Sequence, residues 1–126
     1  LDRITVLAVD DDPDTTDLLR YLLEHNGATV ITANSGAEAL AIAGGRDVDV
    51  VVSDISMPSM DGFEFVRRLR SLPGKEDVRV IALTGFGREE DIEHVHNEGF
   101  VAHVTKPLDV EALLGFVRTL SYNQHT

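Results

Sequence analysis

Apolar residues in this chain fall into short dense runs, separated by longer stretches of a different period. "ITVLAV" (4–9) is β-branched, apolar and bounded by charge, which predicts a strand. The period then changes: Leu18, Leu19, Leu22 and Leu23 recur at helical spacing. Asp12 or a neighbour can cap that helix, Pro13 suits its first turn, and Asn26-Gly27 stops it. "ATVITA" (28–33) predicts a second strand. Ser35 caps "GAEALAIAGG" (36–45), which the double glycine ends. "VDVVVSD" (48–54) is apolar on nearly every residue, the pattern of a central parallel strand covered on both faces. "FEFVRRLRSL" (63–72) predicts a helix ending near Pro73-Gly74, and "VRVIALTG" (78–85) a fourth strand. "REEDIEHVHNEG" (88–99) is a polar helix with a weak stripe of Ile92 and Val95. "FVAHVT" (100–105) is a short fifth strand, "LDVEALLGFVRTL" (108–120) the last helix, and "SYNQHT" (121–126) a frayed tail.

Strands and helices alternate five times with short connections, which argues for an α/β domain with a parallel sheet and helices on both faces. The 126 residues fit one domain, taken as 1–121 with a tail over 122–126. No apolar run approaches the ~20 residues of a membrane span, and no basic-then-apolar leader opens the chain. It begins at Leu1 rather than Met, which fits a processed chain or one domain of something longer. There is no cysteine, which removes disulfides, thiolate metal sites and cysteine nucleophiles and fits a reducing compartment, the cytoplasm. A formal net charge of −11 repels phosphate backbones and argues against direct nucleic-acid binding. It is compatible with a solvated acidic surface or with carboxylates gathered around a cation.

In an open parallel sheet, ligands collect beyond the carboxyl ends of the strands. There the sequence puts Asp10, Asp11 and Asp12 after strand one, Asp54 at the end of strand three, Thr84-Gly85 after strand four and Thr105-Lys106-Pro107 after strand five. The second strand ends on Ala33, with Asn34 and Ser35 in its loop. Taken singly these have plain readings: helix caps, a turn residue, a structural threonine, a solvated lysine. Together, Asp10, Asp11 and Asp54 would repel one another unless something positive intervened. Mg²⁺ (or Mn²⁺) is the economical counter-charge, since it favours oxygen ligands. Lys106 adds an ammonium and Thr84 a hydroxyl donor. That set suits a phosphoryl group carried on a carboxylate.

"VLAVDDDPD", "VVSDISMPSMDGFEF", "VIALTGFG" and "AHVTKPLD" resemble, in order and spacing along essentially the whole chain, the four signature blocks of the response-regulator receiver domain. The resemblance implies a flavodoxin-like (βα)5 doubly wound fold with a five-stranded parallel sheet in the order 2-1-3-4-5. It implies that Asp54 accepts a phosphoryl group from a histidine kinase or a histidine phosphotransfer protein. Asp11 would ligate Mg²⁺ directly, Asp10 largely through water, and the Ser56 backbone carbonyl would be a third protein ligand. Thr84 would be the switch hydroxyl and Lys106 would pair with a phosphoryl oxygen. Pro58 and Gly62 would shape the loop around the acceptor, and the bond before Pro107 is expected to be cis. Residues 83–109 resemble most the receivers of hybrid sensor kinases.

Two positions depart from the family. His103 stands where a switch tyrosine or phenylalanine is usual, and Phe86 lies two beyond Thr84, where many members are polar. Phe86 is expected to shield an aspartyl phosphate. The partner surface, for a homodimer or an output protein, is expected on helix four, strand five and helix five. An Mg²⁺-dependent phosphatase of the haloacid dehalogenase type also uses an aspartyl nucleophile, but it needs a second Asp two residues on, where this chain has Ser56. A signalling switch rather than an enzyme is therefore expected. The alternative is a degenerate receiver that binds partners without being phosphorylated.

Overall fold

The alternating runs become β1 (Thr5–Val9), α1 (Pro13–His25), β2 (Thr29–Ala33), α2 (Gly36–Gly44), β3 (Val50–Asp54), α3 (Gly62–Arg70), β4 (Arg79–Thr84), α4 (Glu89–Asn97), β5 (Ala102–Thr105) and α5 (Val110–Gln124). The source is a computed structural model, which describes residues 4–85 and 89–124. All pairings are parallel and the sheet order is β2-β1-β3-β4-β5, as the flavodoxin-like expectation required.

Side chains along a strand point alternately to opposite faces, and here each face has its own core. Leu7, Val9, Val51, Val80 and Ala82 pack with Ala39 and Ala43 of α2, Phe65, Val66 and Leu69 of α3, and Val95 of α4. Val6, Ala8, Val50, Val52, Ile81 and Leu83 pack with Leu19 and Leu23 of α1 and Leu113 and Val117 of α5. Central β3 is buried at every residue, which explains its unbroken apolar run. Asp12, Ser35 and Asp61 cap α1, α2 and α3 by accepting from the N–H groups of Asp14, Glu38 and Glu64.

Several boundaries differ from the sequence pattern. β3 starts at Val50; at Asp49 the backbone N–H still donates to the Thr5 carbonyl at 2.9 Å, while the Thr5 N–H goes to the Asp49 side chain at 2.7 Å. α3 ends at Arg70 rather than Leu72: Ser71 caps it, and Leu72 precedes a proline, which disfavours helical backbone. α5 runs to Gln124, so residues 121–124 extend the helix where a frayed tail was expected. No glycine or proline interrupts them, and propagating an existing helix is cheap. Among the described residues no helix is long and apolar enough to cross a membrane.

The C-terminal end of α4 is strapped to α3. Gly99 takes a positive φ of 83°, and the Phe100 and Gly99 N–H groups bond back to the carbonyls of Val95 and His96. This is the left-handed ending that glycine adopts without strain. Arg70 donates to the carbonyls of Glu98 (3.0 Å) and Gly99 (2.9 Å), and Arg67 forks onto the Glu98 carboxylate. One turn back, the His94 ring stacks on Phe63 with centroids 3.7 Å apart. His96, on another side of α4, meets His103 of β5 edge-on at 5.9 Å.

Candidate functional site

The register brings the strand ends level. Val9 pairs with both Ala33 and Ser53, Asp54 with Leu83, and Thr84 with Thr105. The residues just past those ends, Asp10 and Lys106, therefore converge on Asp54. The winding of the sheet reverses between β1 and β3, and the crevice there is where such sheets bind ligands.

Asp10, Asp11 and Asp54 each offer one carboxylate oxygen, and these oxygens all lie within 4.8 Å of one another. Lys106 enters from the β5 side. Its Nζ is 2.7 Å from Asp10 Oδ2 and 3.2 Å from Asp54 Oδ2. The backbone orients the other oxygens: Asp10 Oδ1 accepts from Asp12 N–H at 2.9 Å, and Asp54 Oδ1 accepts from Ser56 N–H at 3.0 Å. Asp10 is fully buried and Asp54 nearly so, whereas Asp11 is exposed. Burial pushes the Asp10 carboxyl above its ordinary range; the Lys106 ammonium and the Asp12 N–H oppose this, and the Asp54 charge reinforces it. For Lys106, burial alone would lower the pKa, but the carboxylates of Asp10 and Asp54 outweigh it and hold the ammonium above its usual value.

The loop after Asp54 is shaped by a close approach. A Cβ on Gly62 would stand 2.5 Å from the Asp54 carbonyl oxygen and 2.7 Å from Ile55 Cα, so only glycine fits there. Gly62 N–H also bonds the Ile55 carbonyl at 3.1 Å. Pro58 leads into Ser59, whose φ of 67° lets Met60 N–H reach the Pro58 carbonyl at 2.7 Å. The Lys106–Pro107 bond is cis.

Thr84 is 2% exposed, and among the described residues its Oγ1 has no hydrogen-bond partner. An unpaired buried hydroxyl is a cost. Thr84→Val, of nearly the same shape, is therefore expected to leave stability unchanged or raise it by up to about 1 kcal/mol in metal-free protein. Urea unfolding checks this, and a marked loss would mean that the hydroxyl has a partner in solution. His103 is half-buried on β5 against His96. Phe86 and the role expected for it lie outside the described residues.

The fold thus brings together Asp10, Asp11, Asp54, Thr84 and Lys106 at one end of the sheet. The sequence pattern gave no role to Asn34. Its amide Nδ2 donates to the Asp10 backbone carbonyl at 2.9 Å. The available signal was position: one residue beyond a strand end, beside the acidic run.

Comparison with known proteins agrees with this geometry. The profile of the response regulator receiver domain matches residues 6–118. An uncharacterized 14.6 kDa protein of Leptolyngbya boryana is 45% identical over 94% of this chain and 90% of its own length. The DNA-binding dual master transcriptional regulator RpaA of Synechocystis is 36% identical over 91% of this chain, which spans only 48% of RpaA. Among solved structures, the chemotaxis protein CheY4 of Vibrio cholerae superposes with a TM-score of 0.87 at 33% identity, covering 93% of this chain and 98% of CheY4. With a matching profile over residues 6–118 and a backbone that superposes closely on CheY4, the chain belongs to the response regulator receiver domain family of two-component signalling.

Proposed function

We propose that the chain receives a phosphoryl group on Asp54 from a phosphohistidine donor, a histidine kinase or a histidine phosphotransfer protein. The observation that supports this most directly is the convergence of three carboxylates with one ammonium at the sheet's carboxyl end. In the transfer, an Asp54 carboxylate oxygen bonds to phosphorus while the donor's phosphorus–nitrogen bond breaks. The electron pair leaves with the imidazole, which takes up a proton. Positioning and charge neutralisation do most of the work in such a transfer.

The oxygen-rich donor set fits a hard divalent cation. Asp10, Asp11, Asp54 and the Ser56 backbone carbonyl are proposed to hold Mg²⁺ (or Mn²⁺), Asp11 directly and Asp10 largely through water. Bound there, the cation would draw charge from the phosphoryl oxygens. Lys106 pairs with another phosphoryl oxygen, and Thr84 turns its hydroxyl to donate to a third. These two engagements favour one member of a pre-existing pair of conformations, and the population shifts only by that difference. Pro58, Gly62 and Pro107 hold the surrounding loops. His103, in contact with His96, carries the change to the face of α4, β5 and α5, where an output partner or a second copy docks. The proposed domain spans 1–121, works in the cytoplasm, and regulates an output rather than turning over a substrate.

The test is intact mass after incubation with acetyl phosphate and Mg²⁺. One added phosphoryl group, absent in Asp54→Asn and in EDTA, is the expected result. No gain from acetyl phosphate, and none from a phosphorylated histidine donor protein, would overturn the reading in favour of a phosphorylation-independent interaction module.

A further inference from the structure

Ala33 lies opposite Val9, so Asn34, the next residue, stands level with Asp10. The ladder continues for one more bond, Asp10 N–H to the Ala33 carbonyl at 3.1 Å. In a regular parallel ladder the next bond would run from the N–H of residue 35 to the Asp10 carbonyl. β2 has ended by then, and Ser35 turns off to cap α2. The Asn34 side chain fills that place, with Nδ2 donating to the Asp10 carbonyl at 2.9 Å.

The same nitrogen donates to Thr16 Oγ1 at 3.2 Å. Thr16 is 2% exposed, and its hydroxyl donates to the Pro13 carbonyl at 3.1 Å. A hydroxyl whose hydrogen is committed can only accept from Asn34, so the amide nitrogen, not the oxygen, faces this corner. One side chain thus ties the end of β1 to the first turn of α1. The first of those two anchors is the carbonyl of the Asp10–Asp11 peptide itself.

The two acids depend on that peptide differently. The Asp10 carboxylate has its own anchors in Asp12 N–H and Lys106. The Asp11 carboxylate is exposed, and no described residue bonds it. Its direction is set by the backbone, which Asn34 grips at the Asp10 carbonyl. We propose that Asn34 is a positioning residue for the acidic pair, so that the cluster's affinity for a divalent cation depends on an amide that never touches the cation. This rests on the reading that Asp10, Asp11 and Asp54 bind such a cation. Partners behind a metal ligand commonly change metal affinity by about 10–100-fold.

The experiment measures Mn²⁺ affinity by water-proton relaxation, and Mg²⁺ affinity by backbone-amide NMR, for wild type, Asn34→Ala and Asn34→Asp. Thermal midpoints are recorded alongside. Asn34→Ala is expected to weaken binding about tenfold. Asn34→Asp keeps the shape, loses the donor and adds a negative charge, so the two explanations give opposite signs. Charge alone would tighten binding, whereas lost positioning weakens it. Weaker binding by both variants supports the proposal. Affinity equal to or tighter than wild type in either folded variant overturns it, even if the thermal midpoint falls. Asn34→Asp decides alone should Asn34→Ala fail to fold. A wild type that binds neither cation sinks the cation reading and this proposal together, an outcome distinct from variants that bind as wild type does.

Discussion

Replacing Lys106 with methionine is expected to cost the metal-free protein about 2–3 kcal/mol at neutral pH. Removing one partner of a buried ion pair typically costs ~3–5 kcal/mol. The lysine side chain is 32% exposed, and water screens part of the loss. What remains is large because Asp10 is fully buried and would face Asp54 with no ammonium between them. The loss should depend on pH with a definite sign. The folded pKa of Asp10 is raised above its ordinary 3.8, so its ionised form is a penalty that grows as pH rises through the folded value. In acid, Asp10 takes up its proton and needs the lysine less, so the gap between the two proteins narrows. At the other end, the stability that Lys106 contributes is intact below its ordinary 10.5 and is lost as pH rises through its raised folded value. Added Mg²⁺ should recover part of the methionine variant's deficit at neutral pH. Urea unfolding in EDTA across pH, then with Mg²⁺, measures all of this. A deficit independent of pH would show that packing, not charge, is what Lys106 supplies.

Gly62→Ala is expected to lower stability by about 2–3 kcal/mol, the upper part of the usual range for forcing atoms into a packed site. The new methyl would meet the backbone of Asp54 and Ile55, not the end of a flexible side chain. Either α3 backs away or the end of β3 shifts. At this chain length the thermal midpoint should fall by about 10 °C. The same shift would move Asp54 relative to Lys106 and Asp10, so the folded fraction should also take up phosphoryl groups more slowly from acetyl phosphate. A variant with an unchanged midpoint would mean that the turn from residue 55 to 62 relaxes freely. Gly36 is a useful control, because the three atoms nearest an added Cβ there all belong to the Met60 side chain, which can move.

The strands were legible because both faces of this sheet are covered. Runs such as Val50–Val52 have no polar alternation to confuse with a helix, and glycine or capping residues punctuate the helices between them. The acidic cluster was legible because chemistry-bearing residues sat at successive strand ends. What stayed hidden depends on atoms rather than periods. The Asp49 side chain takes the Thr5 N–H, α5 continues past Leu120, and Arg70 closes the end of α4. Asn34 looked like an ordinary loop polar residue until the pairing register set it beside Asp10. No hydrophobic pattern encodes which carbonyl an amide will reach.

The strap between α3 and α4 makes α4 a lever with its fulcrum at one end. Arg67, Arg70 and the His94–Phe63 stack all pin its C-terminal half. A tilt that keeps these pins moves the other end furthest, and that end follows the strand carrying Thr84. The five residues of helix ahead of His94 span about 7.5 Å, so a tilt of about 10° becomes a displacement of about 1 Å at the tip. Such an arm would turn a rotation at the pinned half into its largest movement at the opposite end.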